Sequence, residues 1–320
     1  MNQRKLIKLG NSSFAIALPK EWVDRANLKK GDNVFLEENG GGEIIIMPNY
    51  AQTNHNKTKA FDFSGKSDLA TQVEIISAYS QDNNTFKIKK TMDKLRQKDV
   101  KKLIGNLLSF EILEETKNEI IFKDIFNLEE ANLKGFIRRM DNILRGMFED
   151  LFESLKKGKI SAEQLKELYL SDKEITKFYL FINRVFMKAL DNPSITNLLK
   201  TNLKTLLNDW QISLNIEKIG DEAKRIAKIL KEGVDPKISK KLSLLFRKII
   251  EDYTLCMTNY HKKNKGEVYA IIDRKERMIE ECEKFDKLKI PDIQKIAEKL
   301  KEIYSRIFQN TKMIIYSTEE

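Results

Sequence analysis

The stretch Ile216-Glu217-Lys218-Ile219-Gly220-Asp221-Glu222-Ala223-Lys224-Arg225-Ile226-Ala227-Lys228 decides how most of this chain is read. A second stretch, Glu298-Lys299-Leu300-Lys301-Glu302-Ile303-Tyr304-Ser305-Arg306-Ile307, echoes it. Glu, Lys, an aliphatic, an acid, an Arg and an Ile recur at matching offsets, which marks an internal repeat. From about residue 127 to 316, apolar residues recur every three or four positions, as in Leu133, Phe136, Ile137, Met140, Ile143, Leu144, Met147 and Leu151. That is the spacing of amphipathic helices. Breaks at Lys157-Gly158-Lys159, Asp191-Asn192-Pro193, Gly233 to Pro236, Asn264-Lys265-Gly266 and Ile290-Pro291 predict six helices. The middle helices echo more faintly, starting at Asp172 and Asp273. Two three-helix units, about 127–233 and 234–316, are expected to pack as a pseudo-twofold bundle.

Upstream the pattern changes. Residues 1–50 read as a β-rich domain with short strands at Arg4 to Leu9, Phe14 to Leu18, Asn33 to Glu37 and Glu43 to Met47. One or two helical turns fit Glu21 to Ala26, and Glu38 to Gly42 reads as a hairpin tip. Four short strands bury little alone, so a dimer that shares its sheet is expected. Residues 51–126 are predicted to be a linker and a small α/β segment, with residues 49–60 polar and non-periodic. In that segment Leu69 to Tyr79 and Val100 to Leu108 have helical spacing. Thr85 to Ile88, Ser109 to Glu114 and Glu119 to Lys123 fit strands, the last two around the turn Thr116-Lys117-Asn118. The fold class is therefore mainly α with an N-terminal β domain.

Composition narrows the function. The chain has 320 residues, 58 Lys+Arg against 48 Asp+Glu, and a net charge of +10, which favours anionic partners. Two Cys, Cys256 and Cys282, allow no disulfide framework and no Cys-based zinc site. Two His, His55 and His261, leave no nucleophile, base and orienter trio to assemble, so an enzyme is the least favoured class. No apolar run approaches a membrane span, and the first residues lack a signal-peptide pattern, so membrane insertion is not expected and the cytoplasm is. Gly40-Gly41-Gly42 is not followed by Gly-Lys-Ser/Thr and is no phosphate loop.

The quoted stretch at 216–228 resembles the signature helix of PhoU proteins, and the duplicated three-helix unit is that family's fold. Residues 1–50 resemble the AbrB/SpoVT swapped-hairpin DNA-binding domain. The matching residues are Arg4-Lys5 before a strand, Gly10, Leu18-Pro19-Lys20-Glu21-Trp22-Val23, Leu28-Lys29-Lys30-Gly31-Asp32 and Ile45-Ile46-Met47-Pro48. Together they resemble an archaeal phosphate-uptake-regulator architecture. The resemblance implies a DNA-binding transcriptional regulator of phosphate uptake, acting as a homodimer or higher oligomer. It also implies phosphate ABC transporter subunits as partners. Two alternatives are an adaptor that regulates the transporter without binding DNA, and a metal-sensing helical bundle.

Two sets of residues carry these expectations. The first twenty residues hold four bases, Arg4, Lys5, Lys8 and Lys20, and no acid; residues 21–50 hold three bases and six acids. In a dimer the basic segments of both chains would form one phosphate-contacting face on double-stranded DNA, with Asn11 and Ser12 as neutral donors. The alternative is that these bases solubilise an edge strand. The second set is acidic. Glu217 and Asp221, four apart, project from one helix face, and Glu298 and Glu302 repeat that geometry. Oxygen ligands on facing helices suit divalent or iron-type metal ions, and Asp172 and Asp273 on the middle helices would complete the sets. The chain departs from the PhoU metal pattern at Thr176, Arg277 and Glu222, where acids or an imidazole would be expected. The competing reading is a charged helix face on which Glu217 or Asp221 pairs with Arg225.

Overall fold

A computed structural model describes residues 3–10, 12–38, 42, 44–48, 57–192 and 194–317. The chain divides into two compact units, 1–55 and 56–320.

In the first unit, β1 (Leu6–Leu9) pairs antiparallel with β2 (Ser13–Ile16), and β3 (Phe35–Glu38) with β4 (Ile44–Met47). The two hairpins form separate two-stranded sheets, with α1 (Lys20–Arg25) between them in sequence. Gly10 reverses the chain after β1 with φ +68, a left-handed conformation that glycine adopts without steric cost. Pro19 caps α1 in an extended conformation, which stops the preceding strand. The strands match the expected ones but are shorter, with β2 ending at Ile16 instead of Leu18. Most of the expected hairpin tip lies outside the described residues. No described residue of this unit is buried. Leu6 is 69% exposed, Phe14 64% and Leu36 66%, so the hairpins have no core within one chain.

The second unit opens with a four-stranded sheet. β5 (Thr58–Phe61) lies parallel to β6 (Thr85–Lys89), joined through α2 (Asp68–Ser80). After α3 (Lys94–Gly105), β7 (Phe110–Glu115) and β8 (Glu119–Asp124) form a hairpin whose second strand inserts beside β6, giving the order β5-β6-β8-β7. β5 corrects the expected linker at 49–60. Thr58, Lys59 and Ala60 are exposed on this edge strand and only Phe61 is buried, so no alternation announces it. α3 starts at Lys94 instead of Val100 because Asp93 caps it, while its first turns bury nothing. Phe61, Phe63, Ile75, Tyr79, Phe86, Phe110 and Phe122 form a core of their own.

After a short 3-10 turn at Leu128–Glu130 come the helices. They are α4 (Leu133–Lys157), α5 (Ala162–Asp191), α6 (Ser194–Leu198), α7 (Leu203–Leu230), α8 (Pro236–Lys262), α9 (Tyr269–Asp286) and α10 (Pro291–Ser317). The six expected helices are the six long ones. The one-turn α6 is unforeseen, because a second break at residues 199–202 follows the first; Lys200 turns at φ 50 and Asn202 caps α7. α4 ends at Gly158, φ +70, where an added Cβ would come within 2.6 Å of the Val234 carbonyl oxygen. α5 opens with a capping box between Ser161 and Gln164.

The packing follows the repeat. Within each copy every helix meets the other two, α4, α5 and α7 in one and α8, α9 and α10 in the other. Between copies, first helix meets first (α4 with α8) and third meets third (α7 with α10). Like meeting like is what a twofold relation demands. A buried bond from the Asn215 amide to Asn310 Oδ1, 2.8 Å, ties α7 to α10 inside an apolar core. The sheet joins this bundle through α5. Arg184, 4% exposed, pairs with Asp82 at 3.0 Å and Asp124 at 2.6 Å, and its guanidinium lies over the rings of Tyr79 and Phe110.

Candidate functional site

The basic segment of the first unit is fully presented. Arg4 and Lys5 precede β1, Lys8 sits on β1 opposite Phe14, Ser12 lies in the turn after it, and Lys20 opens α1. All five are exposed, and none of the four bases forms an ion pair among the described residues. Unpaired cations on a short hairpin are free to meet phosphates. Asn11 lies outside the described residues.

The acidic set of the first copy assembles where α7 passes close to α5. Gly220 permits that approach: a Cβ there would sit 3.4 Å from Ile175 Cδ1 and 3.8 Å from Asp172 Oδ1. Glu217 and Asp221 share the face with Asp172, but lysines lie among them. Lys224 Nζ donates to Asp172 at 2.5 Å and to Asp221 at 2.8 Å. Lys218 Nζ lies 3.1 Å from Glu217. Burial pushes the Asp172 and Glu217 carboxyls up. Lys224 is held above its ordinary value, because its bonds to Asp172 and Asp221 outweigh the burial that opposes its charge. Thr176 turns its hydroxyl to the Asp172 carbonyl and adds nothing to the cluster. The anticipated pairing with Arg225 takes another form: Arg225 bonds Glu222, not Glu217 or Asp221.

The second set does not assemble. Asp273 and Glu298 are exposed. Lys299 Nζ donates to Glu302 at 3.2 Å and lies 3.5 Å from Glu222 across the α7–α10 contact. Burial and then the neighbouring Glu302 push the Glu222 carboxyl up. Arg277 lies 3.4 Å from Glu281 on its own helix, away from any acidic cluster.

These donors do not fit a metal. Two ammonium groups already lie against the three carboxylates of the first set, and a cation would have to displace them. Among the described residues no group of three or more His, Cys, Asp and Glu side chains is arranged to hold one. Cys256 is fully buried, which pushes its thiol up to about 12, so both its position and its protonation suit a core residue. His261 bonds the buried Asp141 at 3.1 Å, and Arg145 bonds the same carboxylate at 2.8 Å. Burial opposes the Asp141 charge, but those two partners hold its carboxyl below the usual range. Lys224 and Arg184 are the residues that sequence reasoning missed. Lys224 stands within the quoted stretch, three residues after Asp221, and that spacing was the available signal.

No helix among the described residues is long and apolar enough to cross a membrane. None of the curated proteins and none of the solved structures compared with the chain matches it significantly. Two family models do. Residues 7–52 match "Antidote-toxin recognition MazE, bacterial antitoxin", and residues 137–230 match "PhoU domain". The second match spans α4 to α7, the first three-helix copy. Both are regulatory and not enzymatic families, and together they fit a regulator of phosphate homeostasis. The chain thus carries a MazE/AbrB-like β domain followed by a PhoU domain, the architecture that its sequence resembles.

Proposed function

We propose that this protein is a DNA-binding transcriptional regulator of phosphate homeostasis, in which the first unit grips duplex DNA and the helical bundle receives the signal. The observation that carries the reading is the set of exposed bases without an ion pair, Arg4 and Lys5 before β1, Lys8 on β1 and Lys20 at the start of α1, in a unit whose hairpins have no core in one chain. Pairing two chains would bury Leu6, Phe14 and Leu36 and bring two such clusters together. Apolar area and charge thereby call for the same dimer. The MazE/AbrB-like match supports this reading, and the PhoU match supports phosphate status as the signal and a phosphate transporter as a partner. No metal is assigned to the acidic faces.

The test is footprinting of the full-length protein on its own upstream region and on a phosphate-transporter promoter. The reading expects protection of a defined site with twofold symmetry. No protected site and no affinity for either duplex would remove the transcriptional role and favour an adaptor whose β domain only dimerises.

A further inference from the structure

A cavity of about 460 Å³ opens at one end of the bundle, where the first turns of α4 and α7 meet the last turns of α8 and α10. That volume is in the range of small-molecule sites. Its charged lining is unlike the acidic faces described above. Lys134 and Arg138 stand one turn apart on α4, and Lys263 ends α8 in a left-handed conformation, φ 53. None of these three cations forms an ion pair among the described residues. The one carboxylate in the lining, Asp209, is buried and accepts a hydrogen bond from the Tyr260 hydroxyl at 2.7 Å. Burial pushes its carboxyl up, against the Tyr260 hydrogen bond and the nearby Lys134 and Lys263. The helix dipoles nearly cancel here, because two N-termini meet two C-termini, so the side chains set the sign.

We propose that this cavity binds a small organic phosphate monoester, with its phosphoryl oxygens on Lys134, Arg138 and Lys263. Inorganic phosphate alone would leave much of 460 Å³ unfilled, so the organic part occupies the rest. Asp209 and Tyr260 offer that part a polar contact for a hydroxyl or amino group. The proposal gives the signal-receiving role of the bundle a chemical class of ligand and rests on that reading for its purpose only.

The test is calorimetric titration of the full chain at constant ionic strength with AMP, inorganic phosphate and adenosine. Saturable binding is expected for AMP, weaker binding for phosphate, and none for adenosine. Lys134→Gln/Arg138→Gln, both at exposed positions, should weaken AMP at least tenfold without lowering Tm. No saturable binding of AMP or phosphate up to about 10 mM would overturn the proposal. So would adenosine binding as tightly as AMP, or affinity unchanged in the double variant. DNA affinity of the anion-free double variant should equal that of the wild type, so this inference and the DNA-binding reading fail separately.

Discussion

At the scale of single residues, the acidic face of α7 is a contact in which Lys218 and Lys224 meet three carboxylates. Lys224→Met keeps the stem and removes the ammonium, leaving Asp172 and Asp221 facing each other across α5 and α7. Breaking one side of such a pair should cost about 2–3 kcal/mol in urea unfolding. Glu217→Gln should act in the other direction. Burial raises the folded-state Glu217 carboxyl, so the folded state holds its proton longer than the unfolded chain does. Stability then falls as pH rises through the unfolded value toward the folded one, and glutamine escapes that loss. The variant should therefore melt above wild type at pH 7.5, with the gap closing near pH 4. A metal held at Glu217 would reverse the sign at neutral pH and make the wild type sensitive to chelators. The carboxylates were legible in the sequence because four-residue spacing fixes a helix face. Their burial and the bridge from Lys224 to Asp172 were not, because these depend on how closely α5 approaches α7.

At the scale of elements, strong periodicity told most and weak periodicity failed. The six long helices could be read because each buries a stripe, as α4 does with Ile137, Met140, Leu144, Phe148 and Leu151. β5, the start of α3 and α6 could not, since they bury one residue, none, and one residue. The joint between sheet and bundle was also silent, because Arg184 finds Asp82 and Asp124 far away in sequence. Arg184→Met should destabilise by about 3 kcal/mol by removing the cation that Asp82 and Asp124 share, and near-UV circular dichroism should report the loosened Tyr79. Asp82 retains Lys188 at 3.1 Å, so Asp124 is the more exposed to the loss. At the α4–α5 turn, Gly158→Ala would place a methyl against the Val234 carbonyl in a left-handed conformation. A Tm fall corresponding to at least about 1–2 kcal/mol is expected.

At the scale of the whole molecule, the two units have opposite requirements. The bundle has a large internal core, whereas the first unit has none in one chain. Sedimentation equilibrium should therefore find a dimer, and Phe14→Glu should shift the full chain toward monomer while its far-UV helix signal stays unchanged. The DNA-binding claim depends on that dimer, since four cations per chain make a weak grip and eight a strong one. The most direct test is the affinity of full-length protein for duplex DNA across a salt series, wild type against Arg4→Ala/Lys5→Ala/Lys8→Ala. If all eight cations contact phosphate, the slope of log affinity against log salt is about −7 in wild type and about −2 in the variant. No binding at low salt, or a slope that the variant leaves unchanged, would contradict the account.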